Sequence, residues 1–502
     1  MRSRLRVFAW AGVLTIVLVF VIYHLRSSPS RPRLVLLYST CTLNKDYLSP
    51  YNPRVPFTPH LEKFSRRSLV FTRHQTESDQ SGVSFASLFS GTQSDRHGVY
   101  TVPTKLPDDV GLIFEAFRDA GYDVFAWLFH PMASVGLNYA QGVPPRNRSE
   151  SPLTANDEKF RRILNTLRSD KRYKAFLVTN FTVTHGPYQG HALEQFCRDF
   201  ADHCAALGDR KQFERYRKLH TEYNLPLAFD FENTVRRFNL TESEVSNLAE
   251  VVELLYKADV YYLDKLFGEL IAAIERAGLL DDTVIAFTAD HGEVLYRDDA
   301  VFKWSHSMQL APEALGVPLI IHAPAAGIRP GRYEAVTRSI DVFPTLASLS
   351  GFRPPGDPLP GVDLSGAMRT GKSLPSLLAF SHTSLLPGPV AEDSRRWVHF
   401  HSIIPRADPQ IMWVSVRSGD MVYKWISMDA QHFGARVYDL KADPMERRDL
   451  HEQDPRRYQE MIRLLLLYKE RLMRGFSREK EGSRRPSKTR QRELLKSLGY
   501  VN

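Results

Sequence analysis

Short apolar runs alternate with amphipathic stretches along most of this chain. Val124 to Phe129, Ala175 to Val178, Thr283 to Thr288 and Val317 to His322 are rich in β-branched and aromatic residues, which predicts strands covered on both faces. Between them, Asp108 to Ala120 places Val110, Ile113, Phe114 and Phe117 on one helical face and stops at Gly121, a residue suited to a C-cap. Thr241 and Glu244 form a capping box ahead of a long helical pattern that reaches Ala277, with Gly278 behind it. This alternation predicts an α/β fold of parallel strands joined by helices.

Asp290-His291-Gly292-Glu293 directly follows the Thr283 strand. Ligand sites in open α/β sheets gather beyond the carboxyl ends of such strands. Asp290 offers a hard oxygen, His291 an imidazole, and Gly292 a backbone that can turn sharply. On residue types alone, the quartet reads either as a metal-binding turn or as an Asp-His pair satisfying backbone groups. Its neighbours shift the balance toward the first. Tyr256-Lys-Ala-Asp259-Val-Tyr-Tyr262-Leu-Asp264 stands upstream; Trp304-Ser-His306-Ser, Gly316-Val-Pro-Leu-Ile-Ile and Ser339-Ile-Asp341-Val-Phe-Pro-Thr345 follow. In that order and at those spacings, the chain resembles the sulfatase branch of the alkaline phosphatase superfamily.

The resemblance runs from about residue 32 to 475. Leu34 to Tyr38, then Cys41-Thr-Leu-Asn-Lys-Asp46, resembles the family's first strand and metal loop, and Ser81-Gly-Val-Ser84-Phe85 its nucleophile segment. Val437-Tyr-Asp-Leu-Lys-Ala-Asp443-Pro-Met-Glu446 resembles the family's C-terminal region, and Leu494 to Tyr500 its closing helix. It implies a mixed, mostly parallel sheet flanked by helices, with a smaller C-terminal α+β subdomain. The expected division is an anchor and linker at 1–30, a catalytic domain at 31–375, a C-terminal subdomain at 376–475 and a basic tail at 476–502. Gly190 to Glu242, rich in charged and aromatic residues, is expected to form a helical lid or substrate wall.

The resemblance also assigns roles. Ser81 stands where relatives carry the Cys or Ser that is oxidised to formylglycine, or a Thr or Ser that transfers phosphate. Conversion depends on a Pro two residues later and an Arg four later; Val83 and Phe85 stand there, so Ser81 is expected to remain a hydroxyl. A metal-activated alkoxide can attack in line. Cys41 takes the place of the usual first carboxylate and would bias a site made with Asp290, His291 and Ser81 toward zinc, whereas a carboxylate set suits calcium, magnesium or manganese. His185, in Thr-His185-Gly-Pro-Tyr188, and His306, in Lys303-Trp-Ser-His306, resemble the active-site histidines, and Lys303 would add a positive charge. Asp46 and His97 are expected to be structural. The implied protein hydrolyses or transfers sulfate or phosphate esters with one divalent ion. The alternative is a degenerate relative that binds an anionic glycan or lipid without turnover.

Composition refines this picture. At 502 residues, 43% hydrophobic and 25% charged, the chain can bury a large core in one unit. Val7 to Tyr23 is a 17-residue stretch with nothing more polar than Thr15, barely long enough to span a bilayer. Three arginines on each side leave orientation unset. No small-x-small site follows, which favours an uncleaved signal anchor over a cleaved signal peptide; the resemblance to an exported branch implies a catalytic domain outside the cytoplasm. On an unbroken helix, Cys197 and Cys204 would lie about 10 Å apart, too far to bond, and would pack as small apolar residues unless the segment bends. Asn147, Asn180 and Asn239 begin glycosylation triplets. Of the net charge of +9, the segment from Arg471 onward supplies ten Lys and Arg against three Glu, or +7. That reads as a solvated tail, with contact to anionic lipid as the alternative. No recognised nucleic-acid-reading module accompanies it.

Overall fold

Eight strands build the central sheet: β1 (Leu34–Thr40), β2 (Leu69–Gln75), β3 (Asp123–Leu128), β4 (Arg148–Ser149), β5 (Ala175–Phe181), β6 (Thr283–Ala289), β7 (Leu319–His322) and β8 (Gly331–Arg338). Their order is β4-β3-β5-β1-β6-β7-β2-β8. The computed structural model describes residues 31–223, 231–299, 304, 306, 307, 309–372, 377–384, 412–427 and 433–482. β1, β5 and β6 are buried along their whole length, which explains their unbroken apolar sequence. Side chains alternate between two cores: Leu34, Leu36 and Tyr38 enter one, Val35 and Leu37 the other.

Among these strands, only β7 runs against the rest, antiparallel to both β6 and β2. The sequence pattern had implied a parallel strand there. After β6 the chain stays at the carboxyl edge of the sheet, where Thr76 N donates to Leu315 O at 3.0 Å. It therefore enters β7 from that edge and must run backward.

Helices cover both faces: α1 (Pro59–Ser65), α2 (Ser81–Ser90), α3 (Ile113–Asp119), α4 (Glu158–Ser169), α5 (Leu193–Asp199), α6 (Arg210–Tyr223), α7 (Phe231–Phe238), α8 (Glu242–Arg276), α9 (Val342–Leu349) and α10 (Gln459–Gly482). The expected helix from Asp108 begins only at Ile113. Glu115 Oε2 accepts from Leu112 N at 3.0 Å and fixes the start, while Asp108 is engaged by Asn138 Nδ2 at 2.8 Å. In α8 the capping box forms as expected, with Thr241 Oγ1 accepting from Glu244 N and Glu244 Oε2 from Thr241 N. Gly278 behind it adopts φ +68°.

α8 also caps another helix. Asp264 accepts from Leu61 N at 2.7 Å and His60 N at 3.0 Å, satisfying the first turn of α1. Burial pushes its carboxyl from 3.8 up to about 7. The folded state thus keeps a proton that the unfolded chain releases. The stability held by protonated Asp264 is full below about pH 3.8 and is lost as pH rises to about 7. Denaturant titrations between those limits should show a steeper decline in wild type than in Asp264→Asn, which retains only the losses from other buried carboxyls such as Glu293.

The region from Gly190 to Glu242 forms a helical wall of α5, α6 and α7, with Phe196, Phe213, Tyr216 and Leu219 in the core shared with α8. Cys197 and Cys204 are joined by a disulfide with Cα atoms 5.8 Å apart, contrary to the unbroken-helix expectation. α5 stops at Asp199 because Phe200 leaves helical geometry at φ −136°, ψ 58°, so the chain bends and the two thiols meet. Cys204→Ser is expected to lower unfolding free energy by about 2 kcal/mol, the chain-entropy value for so short a loop. Calorimetry of the variant, and of wild type with reductant, checks this.

A second sheet, ordered β12-β11-β10-β9, is antiparallel: β9 (Leu378–Ser384), β10 (Met412–Ser418), β11 (Met421–Ser427) and β12 (Phe433–Asp439). α10 packs on it through Leu465, Tyr468, Leu472 and Phe476. Residues 471–482 thus belong to this helix, and Arg471 pairs with Asp95 at 2.8 Å. Residues 1–30 and the segment from 494 to 500 lie outside the described residues. Among those described, no helix is long and apolar enough to cross a membrane.

Candidate active site

The carboxyl ends of five strands converge on one buried cluster. Cys41 follows β1, Ser81 follows β2 by a short loop, His130 follows β3, His185 follows β5, and Asp290 with His291 follows β6. Such an edge collects side chains from segments remote in sequence. Gly292 is needed there for close approach rather than for a left-handed turn. A Cβ on it would collide with the Glu313 carbonyl oxygen, and its N–H donates to Ala314 O at 2.7 Å.

Ser81 is the first residue of α2. Ser84 pins the loop before it, donating to Ser78 O at 2.6 Å, and the helix N-terminus favours negative charge on the Ser81 oxygen. Ser81 Oγ lies 2.9 Å from His291 Nε2 and 3.4 Å from Cys41 Sγ. Asp290 Oδ1 accepts from Thr42 N at 3.2 Å and His291 N at 2.6 Å. Its Oδ2, 3.5 Å from His291 Nε2, has no hydrogen-bond partner among the described residues.

Neighbouring backbone groups fix the histidine tautomers. His291 Nδ1 faces Gly292 O at 2.9 Å and His185 Nδ1 faces Gly186 O at 2.6 Å. A carbonyl only accepts, so both Nδ1 atoms carry the proton and both Nε2 lone pairs face the site. His130 is reversed. Its Nδ1 accepts from Met132 N at 3.1 Å, which leaves Nε2–H as a buried donor without a partner among the described residues. His306 stacks on His291 with ring centroids 4.8 Å apart, and its Nδ1 lies 3.3 Å from Glu293 Oε2, which also accepts from Tyr188 OH at 2.7 Å.

Burial dominates the electrostatics. It holds His185 down at about 3, and His130 and His306 well below the usual range, so these imidazoles are neutral. Burial also raises Asp290, raises Cys41 well above the ordinary thiol with help from Asp290, and lifts Glu293 to about 8. A thiol and a carboxyl penalised together by desolvation, beside inward lone pairs, suit a cation, which would reverse both shifts. Two overlapping groups could hold one: Cys41 with Asp290 and His291, and Cys41 with His130 and His185. The first fits better, because the proton on His130 Nε2 occupies the position a metal would need.

The cluster therefore brings together Ser81, Cys41, Asp290, His291, His185 and His306. Lys303 lies outside the described residues. Asp46 pairs with Lys45 at the surface, and His97 is buried against Ser87 Oγ and Val99 N, away from the cluster. His130 was missed, although it follows an apolar strand just as Asp290 does. Phe85 is a buried ring 5.6 Å from His130. Of the three glycosylation triplets, Asn147 and Asn180 are buried and bonded to backbone carbonyls. Asn239 is exposed.

A family model described as Sulfatase matches residues 35–352. The chain belongs to the sulfatase family. Among its relatives is the choline-sulfatase of Rhizobium meliloti (strain 1021), 23% identical over 457 residues that cover 78% of this chain and 77% of the relative. The iduronate 2-sulfatase of Homo sapiens is 23% identical over 480 residues, covering 79% of this chain and 85% of its own. Solved structures share the fold. That of BT4656 in complex with its substrate D-glucosamine-2-N,6-O-disulfate superposes with a TM-score of 0.63 at 17% identity, covering 89% of this chain and 98% of that one. The phosphonate monoester hydrolase SpPMH from Silicibacter pomeroyi gives 0.58 at 18% identity, over 88% and 95%. Membership in the sulfatase family supports hydrolysis of a sulfate or phosphate ester, an anionic substrate.

Proposed function

We propose that this sulfatase-family protein is an exported, membrane-anchored hydrolase of a sulfate or phosphate ester, with Ser81 as an unconverted nucleophile and one divalent ion beside it. The observation that carries this reading is the placement of Ser81 Oγ, 2.9 Å from His291 Nε2 and 3.4 Å from Cys41 Sγ, next to an Asp290 oxygen that has no hydrogen-bond partner among the described residues. Cys41, Asp290 and His291 would hold the ion, with the Ser81 hydroxyl turned toward it. When bound, it supplies the charge that lowers the hydroxyl pKa and offsets the developing anion.

The chain's own groups do the rest. His130 Nε2–H, which has no acceptor among the described residues, donates to a non-bridging oxygen of the ester. His185 and His306 are neutral at rest; a bound anionic ester favours their protonated form, so either can carry the proton that Ser81 Oγ releases on attack to the leaving oxygen. Glu293 orients His306. An unconverted hydroxyl suits attack on phosphorus, while the family relatives' names favour sulfate. Metal analysis of the purified protein, combined with turnover of 4-nitrophenyl phosphate, bis(4-nitrophenyl) phosphate and 4-nitrophenyl sulfate, separates these substrates. One observation favours binding without turnover: the Phe85 ring packs 5.6 Å from His130, at the place where the resemblance expects an arginine. Metal retention with no hydrolysis of any of the three esters would select that second reading.

Export is supported by the Cys197–Cys204 disulfide, a bond at home in oxidising compartments. Anchoring rests on the apolar run from Val7 to Tyr23. Deleting residues 1–30 should move the protein from the membrane fraction to the soluble fraction; continued sedimentation with membranes would refute the anchor.

A further inference from the structure

Asp79 lies two residues before the nucleophile and is buried. Its Oδ2 accepts from Gln309 N at 3.2 Å and Leu310 N at 3.0 Å, and its carbonyl accepts from Ser307 Oγ at 3.3 Å. One residue thus ties the segment just beyond His306 to the start of α2. Leu310 is held from its other side as well. Its carbonyl accepts from Lys424 Nζ at 2.7 Å, and that lysine sits on β11 of the second sheet, 3% exposed and paired with Glu446. Leu310 and Glu446 both adopt left-handed backbone, at φ 53° and 55°, a conformation that non-glycine residues hold only where surrounding contacts enforce it. β9 reaches the same loop, with His382 N donating to Glu77 O at 2.9 Å.

We propose that Asp79 and Lys424 form a clasp that fixes the His306 segment over Ser81, which makes the second sheet a positioning element of the active site. The proposal rests on the reading of Ser81 and His306 given above. A buried lysine at this place is costly unless its charge is used. Here one ammonium joins three chain segments: β11, the Glu446 turn and the Leu310 carbonyl. Neither Asp79 nor Lys424 is assigned a contact with the substrate; both act through His306 and are positioning residues.

The test uses the full chain and the variants Lys424→Met, Asp79→Ala, their combination, and Lys424→Arg. Three quantities are measured: kcat and KM for bis(4-nitrophenyl) phosphate and 4-nitrophenyl sulfate, Tm, and hydrogen exchange of a peptide covering 306–312. Each single variant should lower kcat by roughly ten- to a hundredfold with KM nearly unchanged, as expected for misplacement of a group by about an ångström. Exchange in the peptide should accelerate about tenfold while β6 stays protected. The double variant should lose no more than the worse single, since both residues hold one segment. Lys424→Arg, which keeps a cation at Leu310 O, should recover most of the kcat. Unchanged exchange at 306–312 overturns the clasp, as does a double variant whose losses multiply. If wild type hydrolyses neither ester, the functional reading fails, and the exchange data still decide the clasp.

Discussion

Asp290→Ala is expected to abolish metal retention and turnover together, whereas Ser81→Ala should abolish turnover and leave the metal in place. The two oxygens of Asp290 do different work. Oδ1 holds the loop through Thr42 N and His291 N, while Oδ2 has no partner among the described residues. Alanine removes both, so Asp290→Asn is the necessary companion, because its amide oxygen can keep the loop bonds while the negative charge is lost. Metal loss in both variants would place the effect on charge; loss in alanine alone would place it on loop geometry. Ser81 contributes a hydroxyl and no charge, and its removal should cost about a thousandfold or more in kcat. Metal stoichiometry by elemental analysis and kcat on the best aryl ester are the two measurements. Full activity in Ser81→Ala would exclude a covalent intermediate on this residue.

Much of this site was readable because its groups sit where buried strands end. The uninterrupted apolar run from Thr283 to Thr288 announces a strand with no solvent face, and the polar quartet after it has nowhere to go but the carboxyl edge. The same logic applied to β3 finds His130 two residues beyond Leu128. What could not be read was orientation. The tautomers depend on the Gly292 and Gly186 carbonyls and on the Met132 amide, contacts made only after folding. The reversed direction of β7 was hidden for a related reason. Its sequence reports burial, and a buried strand looks the same in either direction.

The cysteines show where periodicity misleads. A spacing of seven in a charged stretch suggested one continuous helix, but Phe200 packs against Phe196 and Tyr261, and that aromatic contact accompanies the break that brings Cys204 back to Cys197. Local pattern specified the helix start; tertiary packing ended it. Asp79 and Lys424 illustrate the same limit at the site, since 345 positions separate two residues that hold a single carbonyl and its amide.

Cys41→Asp is expected to move metal preference from zinc toward magnesium, calcium or manganese. The side chain does not point into an apolar core. Its sulfur lies 3.4 Å from Ser81 Oγ and within the donor group formed with Asp290 and His291, so the substituted carboxylate would enter the cluster. A thiolate there prefers a soft ion, whereas two carboxylates with an imidazole and a hydroxyl prefer a hard one. Without metal the variant should be less stable than wild type, because it buries a second carboxyl beside Asp290 at a cost of about 1–3 kcal/mol even when protonated. Added magnesium or calcium should restore that loss in Cys41→Asp and do little for wild type, and zinc should do the reverse, since an ion bound only by the folded state raises its stability by mass action. Thermal unfolding across a series of each metal reads both preferences without requiring any turnover. Identical metal dependence in the two proteins would remove Cys41 from the ligand set and leave Asp290 and His291 to hold the ion with Ser81 alone.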